Sequence, residues 1–327
     1  MSRNPTIQCG VMVNLASYLF WTGFALAGIS SATYLAHVVS ASLWLQRLRA
    51  AQAPADAIAV SPLTGAPNAG LGRLATTFAL LTAIALTVSL TARWIAVEHA
   101  PLSNLYEYTI ALGWGVSVAW LIFERTANAR RFGVIALPIV ATLLGIATLF
   151  PDEVIPLIPA LQNGPLLTLH VTVVMASYAV LTVGFSAAAI YLVQGGEGRR
   201  RFASLPSGEA AGDLAHRAVV VGFPMLALGI ALGAWWANSA WGRYWGWDPK
   251  ETSALVVLLA LAAYFHARAG EGSVAGAAII RWFVPARLRR SWRPDPMWWL
   301  IAMWALMLFT YFGVNLWITG LHSYAGV

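Results

Sequence analysis

The chain has 327 residues, of which 59% are hydrophobic and only 10% are charged, and its mean hydropathy is +0.69. This composition excludes an ordinary water-soluble domain and indicates a polytopic α-helical protein in a lipid bilayer. The net charge of +7 does not indicate a nucleic-acid partner, because the basic residues lie in short tracts between apolar segments. The single cysteine, Cys9, excludes an intrachain disulfide, and the sequence has no CxxC motif.

Eight apolar runs of about twenty residues predict eight transmembrane helices, in an all-α fold with one integral membrane domain over residues 1–327. The runs lack the two-residue alternation of a membrane β-barrel. The first run is long enough to remain as an anchor, and no signal-peptide cleavage pattern accompanies it. The predicted spans are Val11–Val38, Leu74–Val97, Tyr106–Phe123, Phe132–Phe150, Leu166–Val193, Ala218–Ala237, Thr252–Ala267 and Met297–Thr319.

The distribution of basic residues predicts the orientation of the chain. Of the 20 lysines and arginines, 16 belong to one set of loops, and only Arg3, Arg93, Arg243 and Lys250 lie on the opposite face. The positive-inside rule identifies the first set as cytoplasmic. Both termini are therefore predicted on the outer, periplasmic-side face. The 16 are Arg47, Arg49, Arg73, Arg125, Arg130, Arg131, Arg199, Arg200, Arg201, Arg217, Arg268, Arg281, Arg287, Arg289, Arg290 and Arg293.

Three connecting segments have compositions that predict their roles. Ala51–Gly72 is rich in alanine, proline and glycine, which is typical of a linker. Ile279–Trp292 mixes aromatic residues with arginines and predicts an interfacial helix on the cytoplasmic side. In Pro101–Glu107, Ser103 is expected to cap the third helix and Glu107 to favour its first turn.

Five of the sixteen tryptophans lie between Trp235 and Glu251, in the sequence WWANSAWGRYWGWDPKE. Small residues separate the rings, so the pattern is neither a heptad nor an amphipathic stripe. We predict an external tryptophan-rich loop over residues 235–251, whose flat faces and indole N–H groups suit a broad, planar ligand. An aromatic belt at the membrane interface is the alternative, although a belt needs only about one or two rings per helix end. The five are Trp235, Trp236, Trp241, Trp245 and Trp247.

Asp248, Pro249 and Glu251 follow these tryptophans directly. An aspartate at the N-cap, a proline at the first helical position and a glutamate at the third are typical of a helix start. The two carboxylates can also belong to the ligand site. The sequence therefore leaves a capping role and a binding role open for Asp248 and Glu251.

The predicted topology assigns the histidines to different depths and faces of the membrane. His170 lies five residues after Pro165, near the outer end of the fifth span, and His322 follows the eighth span on the same face. Two imidazoles beside an aromatic surface predict a bis-histidine metalloporphyrin site. For either histidine alone, an ordinary polar residue at a helix end is the competing interpretation. His266 lies about fourteen residues into the seventh span, where an ionisable group indicates function unless Arg268 brings it to the inner interface.

Four segments of the chain carry a family resemblance. The central one is WGRYWGWDPKET from Trp241, which is preceded by Phe223–Pro224 and followed by His266. The others are HAPLSNLYE from His99, LHVTVVMASYA from Leu169 and NLWITGLHSYAG from Asn315. Together they resemble the tryptophan-rich WWD signature of haem-handling proteins, and most closely the CcsA/ResC-type cytochrome c biogenesis proteins of System II.

The resemblance implies roles for particular residues. His170 and His322 correspond to the two external histidines that ligate the haem iron and serve in catalysis. The five tryptophans and Asp248 correspond to the region that holds haem b, which is the cargo. His266 corresponds to a transmembrane histidine that receives haem from the cytoplasmic side. Ser253 departs from the family pattern, since many relatives have a further tryptophan there. The outermost part of the aromatic surface is therefore expected to differ from that of those relatives.

The resemblance also implies a function with partners. The expected activity is that of a holocytochrome c synthase (haem lyase), which joins haem vinyl groups to the CxxCH thiols of apocytochrome c. The expected partners are a CcsB/ResB-type membrane subunit and thiol-reducing proteins. The expected location is the bacterial cytoplasmic membrane, with the thylakoid membrane as the alternative. A haem exporter without attachment activity and a diheme b-type electron-transfer subunit are the alternative functions.

Overall fold

The computed structural model describes residues 5–50, 69–127, 129–154, 157, 159–162, 164–269 and 295–322. Within these ranges the chain is helical apart from its connections, and short 3₁₀ turns cover Arg130–Phe132 and Pro159–Gln162. The last helix contains a π-helical segment at Phe309–Gly313. The helices are α1 (Pro5–Ala50), α2 (Ala69–Val97), α3 (Leu105–Ala127), α4 (Gly133–Ala147), α5 (Gly164–Gln194), α6 (Gly208–Trp241), α7 (Pro249–Ala269) and α8 (Met297–Trp317).

The prediction of an all-α protein with eight spans is confirmed, because eight helices in the described ranges are long and apolar enough to cross a membrane. Several helices extend beyond the predicted spans, since polar residues at their ends continue the helix outside the apolar run. The largest extensions are at α1, which covers Pro5–Ala50, and at α6, which begins at Gly208 and ends at Trp241. The linker predicted to start at Ala51 and the interfacial helix predicted over Ile279–Trp292 fall largely or wholly outside the described residues.

Small residues and serine hydroxyls hold neighbouring helices together. Ala75 and Ala79 are fully buried on the face of α2 that packs along α1, and small side chains allow helix backbones to approach closely. Ser30 of α1 donates a hydrogen bond to the carbonyl oxygen of Ala75 at 3.0 Å. A similar hydrogen bond joins α5 to α6, where the buried hydroxyl of Ser177 donates to the carbonyl oxygen of Gly222 at 2.8 Å. These pairs form the frame against which α3, α4 and α8 pack.

A buried ion pair fixes the connection between α2 and α3. Nε of Arg93 lies 2.6 Å from a carboxylate oxygen of Glu107, and both side chains are almost completely buried. The other carboxylate oxygen of Glu107 accepts hydrogen bonds from the backbone and hydroxyl of Ser103. The N-cap of α3 is Asn104 rather than the predicted Ser103, because the Asn104 side chain accepts from the Glu107 N–H at 2.9 Å.

The hairpin between α6 and α7 presents the tryptophan-rich segment. Gly242 ends α6 in the left-handed region with φ 73°, and its N–H donates to the carbonyl oxygen of Asn238. Trp235, Trp236 and Trp241 therefore belong to the last turns of α6, and the irregular loop itself covers only residues 242–248. Because α7 begins directly at Pro249, the carboxylate that precedes it is held at a rigid helix start.

Candidate functional site

A cavity lies among α3, α5, α6, α7 and α8 at the end of the bundle that carries the α6–α7 loop. It encloses about 1050 Å³ of empty space, a volume that includes open solvent at its mouth. The lining is mainly apolar and includes Leu167, Val174 and Leu226. The structure brings His170 and His322 together on its wall, although they are 152 positions apart in the sequence.

His170 projects from the first turns of α5 and is held by α6. Its Nδ1 lies 2.8 Å from the carbonyl oxygen of Gly229. A carbonyl oxygen can only accept, so Nδ1 carries the proton and the lone pair of the ring is on Nε2. The ring stacks on Trp236 with centroids 6.3 Å apart and an interplanar angle of 6°. Gly233 leaves room for it, since a Cβ there would lie 2.5 Å from the His170 ring.

His322 lies five residues beyond the last residue of α8 and is held by Asp248 at the start of α7. The His322 Nδ1 lies 2.8 Å from Oδ2 of Asp248, and the backbone N–H of Leu321 donates to Oδ1 of the same carboxylate at 2.6 Å. The imidazole also packs edge-on against Trp241, with centroids 4.9 Å apart. Trp236 contacts this ring as well as His170, so one indole touches both imidazoles.

The hydrogen bonds at Asp248 set the charges at this end of the cavity. Burial opposes ionisation of Asp248, but the hydrogen bonds from His322, Leu321 and the Lys250 N–H outweigh it, so the pKa of the carboxyl lies below its ordinary value. Burial lowers the pKa of the His322 imidazole, and its hydrogen bond to Asp248 offsets this only in part. At neutral pH the pair is therefore a carboxylate that accepts from Nδ1–H of a neutral imidazole, whose lone pair is on Nε2.

Asp248 and Glu251 are both caps, and Asp248 is also part of the site. Oδ2 of Asp248 accepts from the Lys250 N–H at 3.1 Å, while Oε2 of Glu251 accepts from the N–H groups of Gly246 and Asp248. This is the reciprocal arrangement of a capping box. Capping and binding, the two roles that the sequence left open, are therefore compatible at Asp248. The carboxylate that caps α7 also accepts hydrogen bonds from the C-terminal segment.

The five tryptophans do not form one continuous surface. Trp236 and Trp245 line the cavity, and Trp241 packs against the first of these and against His322. Trp235 and Trp247 are 59% and 69% exposed, and neither belongs to the cavity wall. Trp236 and Trp241 thus contact the imidazoles, whereas Trp245 lines the cavity and packs edge-on against the exposed Trp247.

His266 is not brought to the cavity. It is exposed near the C-terminal end of α7, and its Nδ1 lies 2.9 Å from the carbonyl oxygen of Ala262 in the same helix. The cavity contains other residues that the sequence did not single out, namely Gly233, Lys250 and Asn315. The Nζ of Lys250 donates to Oδ1 of Asn315 at 2.9 Å. Polar residues within apolar runs, such as Asn315, were the available sequence signal for this group.

Comparison with known proteins places this architecture in a family. Residues 102–322, which include all of the cavity wall, match the family described as cytochrome C assembly protein. The chain belongs to that family. Proteins named "Cytochrome c biogenesis protein CcsA" are 33% identical over 300 residues in Pyropia yezoensis, covering 78% of this chain and 88% of the relative. In Synechococcus sp. (strain RCC307) the identity is 33% over 293 residues, covering 80% and 88%.

A solved structure extends the comparison of this cytochrome c assembly protein to its fold. The protein named "Cytochrome c Heme Lyase CcmF" superposes with a TM-score of 0.50 at 18% sequence identity. The alignment covers 95% of this chain but only 47% of that protein, so the chain spans about half of its length. The predicted membership of a cytochrome c biogenesis family is confirmed, and the lyase shares the fold.

Proposed function

We propose that this cytochrome c assembly protein holds haem b in the cavity as cargo and acts in its covalent attachment to apocytochrome c. One observation carries the proposal: two imidazoles line the same cavity, and an oxygen acceptor engages Nδ1 of each. Each ring therefore presents its lone pair on Nε2, and such second-sphere acceptors are typical of metal-ligating histidines. His170 and His322 are the proposed axial ligands of the haem iron.

The rest of the cavity wall supports a porphyrin as the bound molecule. The apolar side chains and the indoles of Trp236 and Trp245 suit the faces of a broad aromatic macrocycle. Trp236 is 1% exposed, and its indole N–H has no hydrogen-bond acceptor among the described residues. A buried donor of this kind favours a ligand with acceptor atoms at its edge. Haem has both properties, since its apolar ring carries two propionate groups.

The proposed reaction adds each cysteine thiol of a CxxCH segment across one haem vinyl group. The S–H bond breaks, a C–S bond forms at one vinyl carbon, and the hydrogen passes to the other, so the addition involves no net oxidation or reduction. The protein contributes mainly by positioning, because reactants that are held in register react at a high effective concentration. Ferrous haem and free thiols are required, so thiol-reducing proteins are proposed as further partners.

The proposed setting follows from the family. Relatives that are named cytochrome c biogenesis proteins support a role in cytochrome c maturation. We propose a CcsB/ResB-type membrane subunit as the partner and the bacterial cytoplasmic membrane as the location, with the thylakoid membrane as the alternative. His266, at the opposite end of α7 from the loop, remains the proposed residue for haem that enters from the cytoplasmic side. Its exposure on α7 suits a contact with that partner.

The experiment that tests haem binding compares three alanine variants. The chain is purified in detergent with its partner and with haem, and absorption spectra of the oxidised and reduced forms are recorded. We expect His170→Ala and His322→Ala each to lose most of the bis-histidine spectrum, and added imidazole to restore part of it. His99→Ala is the matched control, because His99 is on the same face but does not line the cavity. Wild-type spectra in both cavity variants would refute the haem site.

A second measurement separates attachment from the alternative functions. The chain is co-expressed with its partner and a reporter apocytochrome c, and haem that resists acid-acetone extraction is measured. Covalent haem on the reporter, lost in His170→Ala and His322→Ala but retained in His99→Ala, is the expected result. Free haem on the outer face without covalent product would indicate an exporter. Stable haem that changes oxidation state with quinols and is never transferred would indicate an electron-transfer subunit.

A further inference from the structure

Lys250 places an ammonium group in the cavity next to a neutral acceptor. It lines the same cavity as the two histidines, and its Nζ donates to Oδ1 of Asn315 at 2.9 Å. Among the described residues, the ion pairs within 4.0 Å are formed by Arg93, Arg130 and His322. None of them includes the Nζ of Lys250. A cation in apolar surroundings is costly unless an anion pairs with it.

The carboxylates nearest to Lys250 in the chain are already engaged elsewhere. Asp248 accepts hydrogen bonds from His322, from the Leu321 N–H and from the backbone of Lys250. Glu251 accepts from two backbone N–H groups of the α6–α7 loop. Turning either carboxylate towards the ammonium would break the start of α7 or release His322. Among the described residues, neither of these carboxylates is therefore placed to pair with the ammonium.

A second donor in the cavity wall points to the same kind of ligand. The indole N–H of Trp236 is buried and lacks an acceptor among the described residues, and Trp236 lines the cavity together with Lys250. This wall thus carries an ammonium that donates to a neutral amide oxygen and, among the described residues, an indole N–H without an acceptor. These two donors favour a ligand that brings negatively charged oxygen atoms.

From this arrangement we propose that Lys250 is the binding site for a carboxylate of the cavity's ligand. The proposal rests on the proposed function, under which the ligand is haem and the carboxylate is one of its propionates. Lys250 then determines how the macrocycle is rotated about its iron, because it holds one edge of the ring while His170 and His322 hold the iron. A fixed rotation places the vinyl edge, which lies opposite the propionates, in one position relative to an incoming thiol.

The test compares haem with haem dimethyl ester, in which both propionates are neutral. Soret titrations give the apparent Kd of each ligand for the wild-type chain with its partner, and for Lys250→Met, Lys250→Arg and Arg243→Met. We expect Lys250→Met to weaken haem binding about tenfold or more, as for loss of a charged hydrogen bond, and to leave binding of the ester unchanged. Lys250→Arg keeps the charge and retains most of the affinity. Arg243→Met is the matched control, a cation of the adjacent α6–α7 loop that does not line the cavity.

The outcomes distinguish this proposal from the proposed function. Equal weakening of haem and its ester in Lys250→Met would give the lysine a merely structural role and overturn the inference. Unchanged haem binding in Lys250→Met would overturn it as well, while the haem site itself would stand. A wild-type chain that binds neither haem nor the ester would refute the proposed function and, with it, the role of Lys250.

Discussion

Asp248 connects the start of α7 to the C-terminal segment of the chain. Its carboxylate caps α7 through the Lys250 N–H and holds the C-terminal segment through His322 and the Leu321 N–H. A Cβ at Gly320 would lie 2.6 Å from Oδ1 of Asp248, so the C-terminal segment comes this close only because residue 320 lacks a side chain. The geometry of the proposed ligand His322 therefore depends on a residue of the preceding hairpin.

Replacing this carboxylate by an amide tests the dependence. Asp248→Asn retains one acceptor oxygen but cannot serve both His322 and Leu321, and its NH₂ group opposes Nδ1–H of the imidazole. We expect haem affinity to fall by about 10–100-fold, the usual effect of losing such a second-sphere acceptor. Soret titration of the detergent-purified complex measures it.

The neighbouring carboxylate provides the control for that substitution. Glu251→Gln keeps an amide oxygen that can accept from the Gly246 and Asp248 N–H groups, so the hairpin is expected to persist with nearly wild-type haem affinity. If Glu251→Gln reduced affinity as strongly as Asp248→Asn, the effect would belong to the helix start rather than to His322.

At the scale of elements, the connection between α2 and α3 depends on a buried ion pair rather than on apolar packing alone. Arg93 pairs with Glu107 and also donates to the carbonyl oxygen of Asp152 at 2.7 Å, so one guanidinium joins three stretches of chain on this face. An ion pair buried in this way contributes little net stability, yet the loss of one partner leaves an uncompensated charge.

Glu107→Gln is the substitution that exposes this dependence. We expect the free energy of unfolding to fall by about 3–5 kcal/mol, because the Arg93 guanidinium stays buried without its anion. Denaturant or thermal unfolding in detergent, followed by circular dichroism, measures the change. Glu153→Gln is the control, since the Glu153 side chain is exposed, and a change within about 0.5 kcal/mol is expected there. Equal stability of the two variants would contradict the structural role of the pair.

At the scale of the whole molecule, the orientation in the membrane remains a prediction from the arginines. In a Cys9→Ser background, Arg243→Cys marks the α6–α7 loop and Arg200→Cys marks the α5–α6 connection, and both positions are exposed. A membrane-impermeant maleimide is expected to label Arg243→Cys in intact cells, and Arg200→Cys only after permeabilisation. The reverse labelling pattern would place the cavity on the cytoplasmic side.

The sequence predicted the number of spans because hydropathy is a local property that each apolar run carries by itself. The helix ends were less predictable. The predicted sixth span ended at Ala237, whereas α6 continues to Trp241 and ends there because Gly242 adopts a left-handed conformation. Topology alone placed His170 and His322 on one face. It could not identify Gly233 or Lys250 as cavity residues, because that depends on how each helix is rotated about its axis in the packed bundle.

Under the proposed function, the depth of the cavity has a consequence for the acceptor polypeptide. His170 lies six residues into α5, about 9 Å along its axis, and Trp236 lies five residues before the end of α6. Both rings are thus close to the boundary of a hydrocarbon layer about 30 Å thick, rather than at its midplane. A hydrophilic, unfolded chain can reach this level from the aqueous phase without desolvating its charged side chains, and after modification it can diffuse away without extraction from lipid.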